Sequence, residues 1–153
     1  MAKDTPYGES MIDLVNVSLF VDTTHTEENW HEYAKDGVLV KVRENSLNPL
    51  GNGLLEVEPC SAGTDVPLGV IRKVLGTLKN FPKKLTGQVA VRAWRINAAG
   101  GGTGAFADTD IGKRFKPDAD GKAVITSTGG YGRVAGGTPA NPVLSFDLID
   151  NIR

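Results

Sequence analysis

The chain has 153 residues, 40% of them hydrophobic and 23% charged, with a net charge of −1 at neutral pH. That length suits one domain burying roughly two-thirds of its unfolded surface, with no need of a metal or disulfide staple. A single cysteine excludes an internal disulfide framework or a cysteine-rich zinc centre. The near-zero charge gives no footprint for nucleic acid, and no apolar run reaches the roughly 20 residues of a membrane-spanning helix.

Nineteen glycines and eight prolines punctuate short apolar runs, the pattern of many short strands joined by tight turns. Charge is distributed unevenly. Residues 1–75 hold twelve acids and six bases, a balance of −6, whereas residues 76–153 hold six acids and eleven bases, a balance of +5. Such polarity suits the pairing of complementary faces on neighbouring subunits. The plainer expectation is that one β domain interleaves its halves and cancels it.

In chain order, residues 1–9 read as an extended polar arm, broken by Pro6 and Gly8 and anchored by Tyr7. The opening MAKDTPYGES has no apolar core of the signal-peptide kind, so synthesis and folding in a cytoplasm are expected. From Asp13 to Asp22, Val15, Val17, Leu19 and Val21 alternate with polar residues, which is strand geometry with β-branched filling. Thr24 and Glu27 then form a capping box, and Gly37 supplies a stop, predicting a helix of about ten residues. Its Trp30, Tyr33 and Ala34 share one face and would pack it onto a sheet.

Strands resume with Val38, Val40 and Val42, and again with Leu55 and Val57. The run from Val66 to Leu75 contains Pro67 and Gly69, suggesting an edge strand or a bulge. From Gln88 to Ile96, Val89, Val91 and Ala93 alternate with Ala90, Arg92, Trp94 and Ile96. Both faces are partly apolar, so burial on two sides or a place in an interface is expected. Ile111–Lys116 and Lys122–Thr126 flank Pro117-Asp118-Ala119-Asp120-Gly121, a hairpin turn with proline to start it and Asp-Gly for positive φ. Tyr131–Ala135 and Val143–Ile149 follow, the last placing Leu144, Phe146 and Leu148 on one face. The fold class expected is therefore all-β (mainly β): a small β-barrel or β-sandwich with one short helix and the arm, residues 10–153 forming a single domain.

Each candidate for chemistry lacks a component. Gly100-Gly101-Gly102-Thr103-Gly104 has no Lys-Ser/Thr and no following helix to grip a phosphate, and reads as a flexible loop or wide turn. His25 and His31, near Glu27, Glu28 and Glu32, lack the spacing that brings ligands to one helix face. Asp118 and Asp120 resemble the start of a calcium loop, with Asp108 and Asp110 nearby, but no downstream glutamate completes the cage. No serine lies in a nucleophile elbow, so Ser127 and Ser145 read as turn and strand residues. Cys60, between Pro59 and Ser61, reads as an inert buried thiol. Lys79-Asn80-Phe81-Pro82-Lys83-Lys84 reads as a solvated turn. No catalytic, cofactor-binding or metal-binding residue is expected, and no enzyme activity.

One resemblance stands out. Ala107–Phe115 (ADTDIGKRF), Asp118–Val124 (DADGKAV), Gly132–Gly137 (GRVAGG) and the closing strand Val143–Leu148 resemble the ending of decoration, or cement, proteins of tailed-bacteriophage heads. Asp36–Val42 (DGVLVKV) is similar to an earlier strand of that family. The helix, the arm and the Gly100–Gly104 loop depart from its pattern. The resemblance implies a small β-barrel or sandwich with no catalytic role. It would bind the outside of the expanded shell in the virion, clamp neighbouring major capsid protein subunits, and self-associate as a homotrimer in preference to a homodimer. An arm such as residues 1–9 can add a strand to a neighbour's sheet edge. Arg92, Trp94 and Arg95 are of interface hot-spot types, although Trp94 is read first as a core residue. The alternative is another virion or cell-surface β module, of the tail, fibre or carbohydrate-binding kind.

Overall fold

The alternation of Val15, Val17 and Leu19 forms β1 (Ser10–Phe20) in a computed structural model of the chain, which describes residues 10–21, 25, 28–43, 54–75 and 84–151. The arm at residues 1–9 lies outside the described residues. Eight further strands follow: β2 (Leu39–Val42), β3 (Leu55–Pro59), β4 (Gly69–Leu75), β5 (Lys84–Asn97), β6 (Arg114–Pro117), β7 (Ala123–Thr126), β8 (Arg133–Gly137) and β9 (Pro142–Asp147).

Five strands close on themselves in the order β1-β3-β2-β4-β5, with β5 pairing back to β1. Only the β1–β3 pairing in this barrel is parallel. The expected mainly β fold with a small barrel is therefore present. The same sheet runs on past the barrel through β5, β9 and β8, while β6 and β7 form a separate two-stranded ribbon.

Strand β5 makes this branching possible. One edge pairs with β1 along its length, from Phe20↔Lys84 to Ser10↔Arg95. Its other edge pairs first with β4, up to Val70↔Ala90, and then with β9, from Arg92↔Asp147 to Asn97↔Val143. Between Asp13↔Arg92 and Leu14↔Ala90 the register skips Val91. That inserted residue is a β-bulge, and it exchanges the faces to which successive side chains point.

Two cores result. Val17, Leu19, Val40, Val57, Ile71 and Val89 belong to one, which fills the barrel. Leu39, Val70 and Ala90 on the outer side of the barrel wall join Ile96, Phe115 and Leu144 in the other. Leu144, Phe146 and Leu148 all enter this second core, as their alternation predicts. Strand β5 supplies both cores, so the expected burial on two sides holds as far as Val91. Beyond it the predicted alternation fails: Ala93 and Ile96 face the second core while Arg92 and Trp94 are exposed.

The ribbon is tied to the barrel at its turn. Asp118 Oδ1 accepts from the N–H groups of Asp120 and Lys122 at 2.8 and 2.9 Å, and Gly121 takes φ +74°. The predicted hairpin is thus present with shorter strands, and Asp118 serves the backbone of the turn. A Cβ on Gly121 would lie 2.7 Å from Val38 Cγ1, so the turn reaches the barrel only because no side chain intervenes.

Three expectations need correction. The helix is the four-residue α1 (Trp30–Tyr33), with Asn29 at its N-cap and no side-chain cap bond. Thr24 and Glu27 of the predicted box lie outside the described residues. Trp30, Tyr33 and Ala34 do pack against the barrel core, so tertiary burial rather than helical length holds the segment. Strand β4 is no edge: it lies between β2 and β5, and its bulge falls at Arg72, between the pairs Ile71↔Val89 and Lys73↔Gln88. The charged halves are not fully interleaved either. β1–β4 lie on the barrel side of β5 and β6–β9 on the other.

Phe115 is fully buried, bridges to Tyr131 through two backbone bonds of 3.0 and 2.7 Å, and meets Phe146 edge-on at 6.0 Å. Phe115→Ala should lower the unfolding free energy by about 3–5 kcal/mol, read as a shift in the urea midpoint.

Candidate interaction surface

From Ser10 to Asn16, β1 is paired along one edge only, to β5; β3 takes up its other edge from Val17 onward. Among the described residues no strand covers that open edge. Unpaired N–H and C=O groups in a row are a template for another chain. The opposite end of the sheet is closed: Gly112 N–H donates to Val134 O at 2.7 Å, and Val134 N–H donates to Lys113 O at 2.8 Å.

Apolar side chains on and beside the open edge are exposed among polar ones, Ser10, Asp13 and Asn16. Met11 is 80% exposed, Trp94 65% and Leu14 45%. Met11 falls between the register pairs Ser10↔Arg95 and Ile12↔Ala93, which places it across from Trp94. This corrects the expectation of Trp94 as a core residue, and its physical cause is the Val91 bulge. Met11 also has φ +50°, the one positive value at a non-glycine among the described residues. That conformation costs an L-residue roughly 1–2 kcal/mol, and the exposed side chain makes no packing that would offset it.

Leu14, opposite Ala90, lies on the second-core face, and charged groups adjoin Met11 and Trp94 on the other face. Arg92 Nε lies 3.0 Å from Asp13 Oδ2 and 3.8 Å from Asp147 Oδ2, all three side chains more than half exposed. Exposed pairs of this kind stabilise the fold little. An apolar centre with a polar rim is the usual anatomy of a protein–protein contact.

Other charged side chains link β2 to β3 and to the turn that follows β3. Arg43 pairs with the buried Glu56 and lies over the Phe20 ring at 3.6 Å. Lys41 Nζ is 3.0 Å from Asp65 Oδ1 and 3.8 Å from Glu58 Oε1. Asp65 Oδ2 also accepts from Ser61 N–H at 2.8 Å and Ala62 N–H at 3.0 Å. Partial burial opposes ionisation of Asp65, but these donors outweigh it and hold the carboxyl below its usual range. Burial foremost, with Asp65 and Glu58 adding to it, pushes the Cys60 thiol up to about 12. Such a thiol is protonated at neutral pH and a poor nucleophile.

The other candidates stay apart. His25 stacks on Tyr33 at 3.9 Å between ring centres, while His31 is exposed, 3.8 Å from Glu32. Asp108 and Asp110 sit in a 3-10 turn, where Asp110 Oδ2 accepts from Ala107 N–H at 3.0 Å. Among the described residues no group of three or more His, Cys, Asp or Glu side chains is placed to hold a metal ion. Ser127 is an exposed turn residue and Ser145 lies on β9. Lys79 to Lys83 lie outside the described residues.

The glycine segment is a loop, as expected, and its backbone is tied to its neighbours. Gly100 forms a parallel bridge with Ala123, Gly101 N–H donates to Ala123 O at 3.1 Å, and Gly102 N–H donates to Pro139 O at 3.3 Å. A Cβ on Gly100 would stand 1.8 Å from Pro139 O. These glycines permit close backbone approach, and Gly102 lines an apolar cleft of about 270 Å³ together with Phe106, Phe115, Val134 and Leu144.

No family model matches the chain, and neither a curated protein nor a solved structure does.

Asp65 binds protons less readily when folded, so its contribution is present above the ordinary carboxyl value of 3.8 and is lost as pH falls through its lower folded value. Asp65→Asn should cost about 1 kcal/mol at neutral pH. It should also flatten the acid limb of stability, measured as denaturation midpoint against pH below pH ~4.

Proposed function

We propose that this chain is a structural virion protein: a decoration, or cement, protein that binds the outer surface of a phage head and strengthens contacts between major capsid subunits. The observation that carries the reading is the open Ser10–Asn16 edge with Met11, Leu14 and Trp94 exposed beside it. An apolar edge strand without covering is a liability in a protein that stays alone, and an asset in one whose place is against other subunits. The sequence resemblance between residues 107 and 148 points the same way.

The physics suits a lattice. One strand edge with the apolar Met11 and Trp94 makes a small contact, but an oligomer repeats it several times, and linked weak contacts multiply. Self-association as a homotrimer, in preference to a homodimer, would supply that multiplicity. The protein would be made in the host cytoplasm and reside on the capsid exterior.

Purified protein mixed with expanded, undecorated phage heads should co-sediment at a fixed stoichiometry. Trp94→Ala should weaken that binding by about 2 kcal/mol, roughly 30-fold, while shifting stability by no more than about 0.5 kcal/mol. Failure to co-sediment, together with a monomeric state in solution, would overturn the assignment.

A further inference from the structure

The end of the sheet away from the open edge gathers positive charge. Backbone bonds fix the arrangement: Val134 N–H donates to Lys113 O at 2.8 Å, which sets Lys113 and Arg114 alongside Arg133, and β6 pairs Arg114 with Thr126 on β7. Lys113, Arg114, Arg133, Thr126 and Ser127 line one open cleft of about 480 Å³, with Gly112 and Gly129 completing its wall.

Three cations share this cleft, and one acid answers them. Lys113 Nζ lies 2.9 Å from Asp110 Oδ1. That contact, with the Ala107 N–H, holds the Asp110 carboxyl below its usual range. Arg133 Nη1 donates only to the carbonyl of its neighbour Gly132, at 2.9 Å. Among the described residues no carboxylate pairs with Arg114 or Arg133. Like charges on neighbouring strands repel, so lining one cleft with Arg114 and Arg133 is a cost in the isolated protein. A bound anion removes it. Guanidinium groups offer planar, paired donors matched to carboxylate and phosphate oxygens, and the small Gly112 and Gly129 leave their approach open.

We propose that this cleft is a binding site for an oxyanion, with Arg114 and Arg133 as its ligands and Lys113, held by Asp110, as a supporting charge. The chemistry shared by its occupants is a planar or tetrahedral group of anionic oxygens, either the carboxylate of an acidic protein segment or a free phosphate. The site does not depend on the adhesive reading of the β1 edge, because it lies on different strands and is tested without any capsid.

The test is titration of the isotopically labelled full chain, in separate arms, with inorganic phosphate and with hexaglutamate, following backbone amide shifts. Either probe should produce saturable shifts concentrated at Gly112, Ser127 and Gly129. Tighter binding of hexaglutamate identifies an acidic protein segment as the occupant, and tighter binding of phosphate a small free anion; both support the site. Arg114→Gln should weaken binding at least tenfold with the rest of the amide spectrum unchanged. Arg114→Lys, which keeps the charge but loses the paired donors, should recover only part of it. Binding of neither probe would overturn the proposal. So would shifts scattered over all basic residues, or affinity unchanged in Arg114→Gln.

Discussion

The extra residue at Val91 is the feature on which the rest of the molecule depends. A regular β5 would keep one face toward the barrel and carry Arg92 and Trp94 after Ala90 into the second core. Guanidinium burial there would cost several kcal/mol without a partner. With the bulge, Val89 and Val91 fill the barrel, Ala93 joins the second core, and Arg92 and Trp94 turn outward. A single strand can then be the wall of a closed barrel and the centre of an open sheet, with a core on each side.

That arrangement separates two kinds of surface. The barrel pairs charges on and beside its strands, Arg43 with Glu56 and Lys41 with Asp65. Among the described residues, the sheet beyond the bulge ends in an unpaired edge at β1 and in a cationic cleft beside β8. Edges and uncompensated charge are costs for an isolated domain.

Much of this was legible from residue pattern. Val15, Val17 and Leu19 announced β1 by alternation, Leu144, Phe146 and Leu148 announced β9, and Pro117 to Gly121 announced the ribbon turn, because each depends on local periodicity or on positive φ at one glycine. The helix was overread: Thr24, Glu27 and Gly37 look like its boundaries, yet only four residues adopt helix, since so short a segment gains more from packing Trp30, Tyr33 and Ala34 onto the barrel than from further helical turns. Gly100 to Gly102 do form a loop, as expected, but what they touch was not legible. Glycine signals backbone freedom in a sequence, whereas here it signals contact with Pro139 and Ala123.

By itself, then, the sequence determined the β class, the short strands and tight turns, the buried thiol reading of Cys60 and the lack of any motif with a full set of catalytic parts, because those follow from composition and from spacing along the chain. Only the tertiary structure decided that the barrel closes between β1 and β5, that Trp94 is exposed, and that Lys113, Arg114 and Arg133 share a cleft. Each of these is set by pairing between strands remote in sequence, and one inserted residue in a ladder reverses the side chains beyond it until the next irregularity, which in β5 falls between Ala93 and Ile96. Periodicity read along one strand cannot register that reversal, since the bulge exists only relative to the partner strand.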